Sequence, residues 1–446
     1  MAQQLSVPTS QPVEVAAAPE TISSQYRSYV LGLLVVVNVF NYLDRQILSI
    51  LLEPIKRDLQ LSDTALGFLT GIAFALFYTF AGIPIARWAD RGVRRTIIAL
   101  GLVIWSGMTA LTGFAQSFMQ LALARIGVGI GEAACTPPAH SLLSDYFPAE
   151  RRGTALSIFA LGVPFGIMLG YLVGGWVNEY FGWRMAFFVV GTPGLVLALV
   201  VWFTLREPPR GYAEGIVPPV ATTAPDSIRD VLRFLWRLRS FRHLSLAAAL
   251  HAFYGYGALA FIPAFMMRVH GMTSTAELGL WLGAIAGVFA GIGTYLGGTV
   301  GDRLAAAKKD MRWYLWFPAW TTILSIPFAF LFYLWPEGRT ALLLSAPGSL
   351  LGPTYIGPTF AMTQGLVKIH MRATASAMVL FIINLIGLGL GPQVVGAISD
   401  LLTPSHGKEA VRYALLSVVA LGAMWSATHY FLAARTLRED LKAKEC

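Results

Sequence analysis

The chain has 446 residues, of which 56% are hydrophobic and 13% are charged, and its formal net charge is +9. Soluble domains carry about 25% charged residues, so this composition argues against an ordinary soluble domain and favours a membrane protein. The two cysteines are Cys135, inside an apolar stretch, and Cys446. Two cysteines so placed exclude a disulfide-stapled secreted domain.

Residues 1–28 precede the first apolar stretch and are rich in Gln, Ala, Pro, Thr and Ser. A secretory signal would begin with basic residues and continue into an apolar core, and this segment has neither. Its polar composition is typical of disorder. We therefore expect a disordered cytoplasmic tail.

Twelve apolar stretches follow, each of about 20 residues and long enough to cross the hydrocarbon core of a bilayer as a helix. Most lysines and arginines lie in the connections on the side that both termini share, as the positive-inside rule requires. We therefore expect both termini in the cytoplasm, and we attribute the positive charge to membrane orientation and not to a nucleic-acid partner. The stretches fall near residues 29–51, 65–86, 96–115, 118–141, 153–176, 184–205, 244–267, 278–300, 313–334, 340–366, 373–398 and 410–433.

The longest connection separates six stretches from the other six. It predicts an N-terminal six-helix bundle at 29–205, a cytoplasmic linker at 206–243, a C-terminal six-helix bundle at 244–434 and a cytoplasmic tail at 435–446. In the second part of the linker, apolar residues alternate with arginines at helical spacing, which predicts an amphipathic helix at the membrane surface.

The two predicted bundles repeat one another. Asp90-Arg91 follows the second stretch, and Asp302-Arg303 follows the eighth. Repeats of this kind occur in transporters whose halves rock about a site at the bilayer midplane. We therefore predict an all-α integral membrane protein with 12 transmembrane helices in two pseudo-symmetric six-helix bundles.

Charged residues near the cytoplasmic helix ends are predicted to form a gate. We expect Asp90 to pair with Arg152 and to close the inner side while the cavity faces outward, because charge pairs at a bundle interface can break and reform. The predicted gate residues are Asp90, Arg91, Arg94, Asp145, Arg152, Asp302, Arg303 and Arg372.

Four charges lie inside apolar stretches: Asp44 and Arg45 in the first, Arg125 and Glu132 in the fourth. A charge at the centre of a bilayer costs at least about 2.5 kcal/mol, so such residues face a partner or a watery cavity. Arg125 and Glu132 share one face of their helix. We predict one polar cluster that lines the N-terminal side of a central cavity. It is expected to include three further polar residues, Asn38, Asn41 and Thr136.

The cluster suggests a coupling mechanism. Burial disfavours the charged form of a carboxylate, whereas a nearby arginine favours it, so movement of the arginine switches the acid between its two forms. We expect Glu132 to carry the proton, Asp44 to be the second carrier, and Arg45 to be the competing cation or the anchor for a substrate phosphate. The alternative is a permanent ion network that holds the first and fourth helices together.

The C-terminal bundle offers a different wall. Its aromatic and apolar character suits a substrate with a polar head and an apolar tail, although such residues are also ordinary packing residues. The candidates are His251, Tyr254, Tyr355, Phe360, Gln364 and Asn384.

Several motifs resemble those of known transporters. Residues 86–95 resemble the signature loop between helices 2 and 3 of the major facilitator superfamily, and residues 125–131 resemble its helix 4 pattern of an arginine followed by spaced glycines. Residues 41–45, 125–134 and 206–211 together resemble the Spinster-like subfamily. This resemblance implies the major facilitator fold and, from the animal members, a substrate such as sphingosine-1-phosphate or a lysophospholipid. A bacterial homologue fits the same resemblance, and would lie in the inner membrane.

The sequence leaves other functions open. We expect a monomeric secondary transporter without metal or cofactor, which exchanges protons, contacts membrane lipids and has no enzymatic activity. The alternatives are a proton-coupled symporter for small organic anions, a multidrug exporter, an ion channel or, from another class, a lipid-modifying membrane enzyme. No nucleotide-binding loop, metal-ligand spacing or nucleophile elbow stands out, which disfavours the enzyme.

Overall fold

The structure, a computed structural model, describes residues 22–214, 228–368 and 371–445. These residues are almost all helical and include no β-strand, which confirms the predicted all-α class. Residues 1–21 of the predicted tail lie outside the described residues. The first helix begins at Ser24, inside the predicted tail, because the Ser23 side chain caps its first turn by accepting a hydrogen bond from the Tyr26 N–H.

The N-terminal half, residues 22–214, consists of consecutive helices joined by short connections. Its helices are α1 (Ser24–Leu59), α2 (Asp63–Thr70), α3 (Ile72–Arg91), α4 (Arg94–Thr112), α5 (Phe118–Glu132), α6 (Thr136–Tyr146), α7 (Ala149–Ala160) and α8 (Gly162–Thr204). Helix α8 covers the fifth predicted stretch from its midpoint and all but the end of the sixth. It turns at Gly182, whose φ of 82° lies in the left-handed region that glycine adopts without strain.

The C-terminal half comprises residues 228–368 and 371–445. Its helices are α9 (Ile228–Arg237), α10 (Arg239–Val269), α11 (Thr275–Ala284), α12 (Ala290–Lys308), α13 (Trp313–Leu334), α14 (Gly338–Leu351), α15 (Ile356–Gly365), α16 (Arg372–Ile382), α17 (Gly391–His406) and α18 (Ala410–Glu445). Helix α10 starts before the predicted end of the linker, and α18 continues through the predicted tail.

Helix α9 forms where the sequence predicts an amphipathic helix. Its Val231 and Leu235 are buried in an apolar cluster with residues of the C-terminal half, whereas Trp236 is exposed. The apolar side of α9 is therefore used for packing against the protein. Its position at a membrane surface stays a prediction.

Several predicted stretches are interrupted. The second breaks at Gly71, and the fourth breaks at residues 133–135, after which Pro137 and Pro138 lack the N–H groups that a continuous helix would need. The eighth and eleventh contain π-helical turns at Ile285–Phe289 and Ile383–Leu390. Such interruptions are frequent at functional sites.

Among the described residues, nine helical runs are long and apolar enough to cross a membrane. Two of these runs, Arg151–Thr204 and Thr374–Lys442, each contain two of the predicted stretches. The predicted stretch at 340–366 is divided between α14 and α15 by a short 3-10 turn. Every predicted stretch is thus largely helical, and the runs are typical of a multi-pass membrane protein.

The two halves form most of their shared apolar core at one end. At the end where α1 finishes, a cluster combines residues of both halves, such as Leu51 and Leu69 with Phe261 and Phe265. We call this the closed end. Towards the opposite end, the core separates into two clusters, one formed mainly by the N-terminal half and one formed by the C-terminal half.

Candidate functional site

A buried ion pair lies inside the N-terminal half. Arg45 of α1 donates to Glu132 at the end of α5, with Nη2 2.7 Å and Nε 3.2 Å from Oε2 of the carboxylate. Glu132 is fully buried, and Arg45 is nearly so. Charge-assisted hydrogen bonds are roughly twice as strong as neutral ones. The structure therefore brings two of the four predicted charges into direct contact.

Aromatic rings surround both predicted arginines. The Arg45 guanidinium lies 4.8 Å from the ring centre of Tyr42, 4.6 Å from that of Phe74 and 5.1 Å from that of Tyr78. The Arg125 guanidinium lies 5.1 Å from the Phe74 ring. Aromatic faces attract cations, and the attraction is stronger away from water. These rings therefore stabilise charge in an interior that would otherwise disfavour it, and sequence reasoning missed them because aromatic residues are common in membrane helices.

The other predicted acid has different partners. Asp44 is fully buried, and its Oδ2 accepts a hydrogen bond of 3.2 Å from the Thr109 hydroxyl. Among the described side chains it has no ion-pair partner, and its Oδ1 accepts no hydrogen bond. Glu132 Oε1 likewise accepts no hydrogen bond from the described residues. The four charges lie within electrostatic range of one another but form one ion pair and not a closed network.

Local sequence explains how α5 comes close to Phe74 of α3. Helix α5 ends at Glu132, since the helix breaks at residues 133–135 ahead of two prolines. Gly129 lies one turn earlier, and a Cβ there would come within 2.7 Å of the Phe74 carbonyl oxygen. Helix α3 can therefore approach α5 closely only because this residue is glycine.

The remaining N-terminal candidates take separate positions. Asn38 is buried and donates a 2.9 Å hydrogen bond to the carbonyl oxygen of Phe159, so it connects α1 with α7. Asn41 is buried, and its Nδ2 has no partner among the described residues. Thr136 is half-buried at the first residue of α6. Asn38 thus contributes to helix packing, whereas Asn41 keeps a free donor.

His251 is the centre of a small network in the C-terminal half. Its ring stacks on Tyr355, with centroids 4.0 Å apart, and it lies within hydrogen-bond distance of the Tyr254 hydroxyl. The Thr322 hydroxyl lies 3.2 Å from His251 Nδ1. These contacts connect α10 with α13 and with the 3-10 turn before α15. The structure brings together three of the six predicted wall residues.

The other three wall candidates are more exposed. Phe360 and Asn384 are half-buried, and Gln364 is exposed. Tyr256 of α10 contacts the apolar clusters of both halves and lies within electrostatic range of Arg45. Tyr256 is therefore one of the residues of the C-terminal half that approach the buried ion pair.

Arg94 anchors the predicted gate region. It is fully buried, forms an ion pair with Asp145, and donates through Nε to Glu207 at 2.6 Å. Arg210 donates to the Ser141 hydroxyl at 3.0 Å. The residues at the start of the predicted linker therefore bind the N-terminal half and do not form a free tether.

The other gate candidates lie at the surface. Asp90 is exposed and has no ion pair among the described side chains, while Arg152 donates to the Ser144 carbonyl oxygen at 2.9 Å. The predicted Asp90–Arg152 pair is therefore not formed among the described side chains. Asp302 accepts a 2.9 Å hydrogen bond from the Tyr314 hydroxyl. The exposed residues among the rest are Arg91, Arg303 and Arg372.

An ionic cluster at the closed end was not predicted from the sequence. Arg268 of α10 donates to Glu53 at 2.5 Å and to both carboxylate oxygens of Asp63, at 2.7 Å and 2.9 Å. Lys56 lies 2.5 Å from Asp63. Charged residues at helix ends are ordinary in membrane proteins, which hid this cluster. Among the described side chains, Arg268 is the residue whose ion pairs join the two halves.

Comparison with known proteins decides the family. The model of the Major Facilitator Superfamily matches residues 34–392, which is most of the chain. The chain belongs to this superfamily. An MFS-type efflux pump of Mycolicibacterium smegmatis is 37% identical over 92% of this chain and 93% of its own length. The sphingosine-1-phosphate transporter SPNS2 of Mus musculus is 28% identical over 90% of this chain and 77% of its own length.

A solved structure confirms the Spinster-like resemblance. A bacterial homologue of the human lysosomal transporter Spinster, in an inward-facing and occupied conformation, matches with a TM-score of 0.82 and 34% identity. The match covers 94% of this chain and 99% of that chain. The protein is therefore a multi-pass membrane transporter related to the Spinster proteins, and it is not an enzyme.

Proposed function

We propose that this transporter is a secondary carrier that moves an amphipathic, lipid-like anion by alternating access and couples the movement to protons. The observation that carries the proposal is the buried Arg45–Glu132 pair, with one oxygen of Glu132 and one of Asp44 accepting no hydrogen bond from the described residues. Buried charges are costly, so a carrier that keeps them gains from their ability to exchange a proton or a charged ligand.

Proton exchange follows from competition for Arg45. While Arg45 binds Glu132, the carboxylate stays charged. An anionic head group that takes the guanidinium would leave Glu132 buried without its counter-charge, and a buried carboxylate then binds a proton. Substrate binding and protonation of Glu132 therefore support one another. Asp44, which lacks an ion pair among the described side chains, is the second candidate.

The lipid-like substrate class rests on the contrast between the two walls. Arg45 offers a cation for a phosphate, and Tyr256, Tyr355 and Phe360 offer aromatic surface for a tail. The names of the SPNS2 relatives agree with this class. A small organic anion would instead be held by arginines from both halves, but the buried Arg268 of the C-terminal half is already paired with Glu53 and Asp63.

Flux measurements test the proposal. Proteoliposomes would be loaded with sphingosine-1-phosphate, a lysophospholipid or a dicarboxylate, and transport would be followed with and without a pH gradient. We expect the gradient to accelerate transport of a lipid-like anion in the wild type but not in Glu132→Gln. Glu277→Gln is a matched control, because Glu277 pairs with Arg339 inside the C-terminal half. Equal stimulation of Glu132→Gln and wild type would contradict proton coupling through Glu132.

Drug efflux is the second candidate, because the Mycolicibacterium smegmatis relative is named an efflux pump. The same liposomes distinguish the two candidates. A lipid-like anion should compete with its labelled form at micromolar concentration, whereas cationic drugs should not compete. Competition by cationic drugs alone would favour the efflux pump.

Orientation and assembly complete the proposal. We place the closed end on the outer side and both termini in the cytoplasm, following the distribution of basic residues, in an inner membrane if the source is bacterial. In that orientation this conformation faces inward. The surface charges at Asp90, Arg152 and Arg372 would close the inner side in the opposite conformation, and a monomer would suffice for transport.

A further inference from the structure

Two helices at the closed end begin with N–H groups that bind an acid from the opposite half. Asp400 of α17 accepts hydrogen bonds from the Asp63 N–H at 2.9 Å, the Thr64 N–H at 2.7 Å and the Thr64 hydroxyl at 2.6 Å. Asp63 and Thr64 are the first residues of α2. The first N–H groups of a helix have no partner within the helix, so Asp400 completes this turn from the other half.

The same contact occurs in the reverse direction at α11. Glu179 of α8 accepts hydrogen bonds from the Thr275 N–H at 2.7 Å and from the Thr275 hydroxyl at 3.1 Å. Thr275 is the first residue of α11. Here the N-terminal half supplies the acid and the C-terminal half supplies the helix.

The two contacts share their construction. Each acid follows a glycine by four residues, namely Gly396 before Asp400 and Gly175 before Glu179. A Cβ at Gly396 would overlap the Asp63 carbonyl oxygen, and a Cβ at Gly175 would overlap that of Thr275. Each glycine therefore lets its helix approach the capped helix at the turn below the acid.

Each capped helix also begins with a serine of its own chain segment. Ser62 and Ser274 accept hydrogen bonds from the backbone N–H of the third residue of α2 and α11, at 3.1 Å and 3.2 Å. Serine is a favoured residue at this position and caps later N–H groups of the first turn. The acids of the opposite half bind N–H groups nearer the helix start, those of Asp63 and Thr64 in α2 and that of Thr275 in α11.

We propose that Gly175/Glu179 and Gly396/Asp400 form a pair of reciprocal helix caps that holds this transporter closed at the outer side. When the halves separate at this end, both acids withdraw and the first N–H groups of α2 and α11 lose their acceptors. Each cap therefore favours the conformation described here. One cap lies between α2 and α17 and the other between α8 and α11, so the pair resists separation at both of these contacts between the halves.

The proposal rests on the alternating-access movement proposed above, but its test needs no substrate. Spin labels at Gln116 and Lys408, two exposed residues in closed-end connections of opposite halves, report the separation of the halves there. Both native cysteines would first be replaced by serine. Double electron–electron resonance in nanodiscs then measures the distance distribution between the two labels, which gives the ratio of separated to closed molecules.

Removal of the acids should open this end. We expect Asp400→Ala and Glu179→Ala each to raise the ratio of separated to closed molecules about fivefold, the effect of a lost helix cap. The double variant should raise it about 25-fold, since the two sites share no residue and their effects should add in free energy. Asp400→Asn, which keeps an oxygen acceptor, should restore much of the closed population.

A matched control separates capping from loss of surface charge. Asp58 lies at the same end but pairs with Arg184 of its own half, so Asp58→Ala should leave the ratio unchanged. If an alanine variant fails to fold, Gly396→Ala provides the second approach, because its Cβ should force the seam apart while the acid remains. A double variant, or a folded Gly396→Ala protein, with the wild-type distance distribution would overturn the caps. Failure of the flux experiment alone would leave them intact.

Discussion

The buried ion pair of the N-terminal half and the ionic cluster at the closed end use the same chemistry in different ways. Arg45 and Glu132 belong to one half, so their contact survives when the halves rock. Arg268 binds Glu53 and Asp63 of the other half, so these contacts break whenever the closed end opens. We call the Arg45–Glu132 pair the switch, and Arg268 with Glu53 and Asp63 the latch. In the proposed movement, the half that supplies the partners, and not their burial, would decide which of these two roles a pair takes.

The largest effect should come from removal of the arginine of the switch. Arg45→Ala leaves Glu132 buried without its partner, which costs about 3–5 kcal/mol when the acid stays charged. We expect transport to fall at least about 100-fold, since each 1.4 kcal/mol corresponds to a factor of ten. Initial flux rates in proteoliposomes measure the loss. Arg339→Ala is the control, because Arg339 is exposed and pairs with Glu277 inside the C-terminal half. A rate near that of wild type would mean that Arg45 does not serve the transport cycle.

Removal of the arginine of the latch should shift conformation more than it lowers substrate affinity. Arg268→Ala leaves both carboxylates without their guanidinium. We therefore expect the free energy needed to open the closed end to fall by about 2–3 kcal/mol. Accessibility of a cysteine at Leu51 to a water-soluble maleimide, measured in a chain without native cysteines, reports this opening. Unchanged labelling of this buried position would contradict the latch.

A double-mutant cycle sharpens that result. If Arg268 acts through Asp63, then Asp63→Asn and Arg268→Ala should be non-additive, with a coupling energy of about 0.5–3 kcal/mol. Arg45→Ala and Arg268→Ala should instead add within about 0.5 kcal/mol, because the two pairs share no residue.

The sequence reveals the switch more readily than the latch, for a physical reason. Charges inside an apolar stretch are expensive, so Arg45 and Glu132 stand out without a structure. Arg268 and Asp63 lie near helix ends, where a charge has a small free-energy cost. A charged residue there therefore does not indicate a functional site. The caps were hidden as well, because Glu179 and Asp400 gain their role from N–H groups brought near only by the packing of the two halves.

The same contrast applies within the predicted cluster. Helical spacing places Arg125 and Glu132 on one face, but it cannot show that the Phe74 ring contacts both Arg125 and Arg45. Nor does it show that Asn38 donates a hydrogen bond to the Phe159 carbonyl oxygen. Side-chain partners across helices depend on the helix break after Glu132 and on the close approach at Gly129, which are tertiary features.

An intermediate effect is expected at Phe74. Phe74→Leu keeps an apolar side chain but removes the ring face that contacts both guanidiniums. Because cation–π contacts contribute about 0.5–2 kcal/mol, flux should fall about 2- to 30-fold. Phe159→Leu is a control for the loss of a buried ring in the same half, and should leave flux near wild type. Equal losses in both variants would show that packing alone explains the effect.

The smallest effect should come from a surface pair that belongs to one half. Asp310 pairs with Arg312 and Arg438, all in the C-terminal half, and lies in the connection between α12 and α13. Hydrogen bonds from Arg312 lower the pKa of Asp310 from 3.8 to about 2. A depressed pKa means that this pair stabilises the fold at pH values above about 4, and that the contribution is lost as the pH falls towards 2. Asp310→Asn should therefore lower the melting temperature slightly at pH 7, with a difference from wild type that disappears near pH 2. Thermal unfolding in detergent at both pH values measures this difference.

The flux through Asp310→Asn should not change, because the pair lies within one half and need not break as the halves rock. A flux defect as large as that of Arg268→Ala would show that pairs within one half also act as latches.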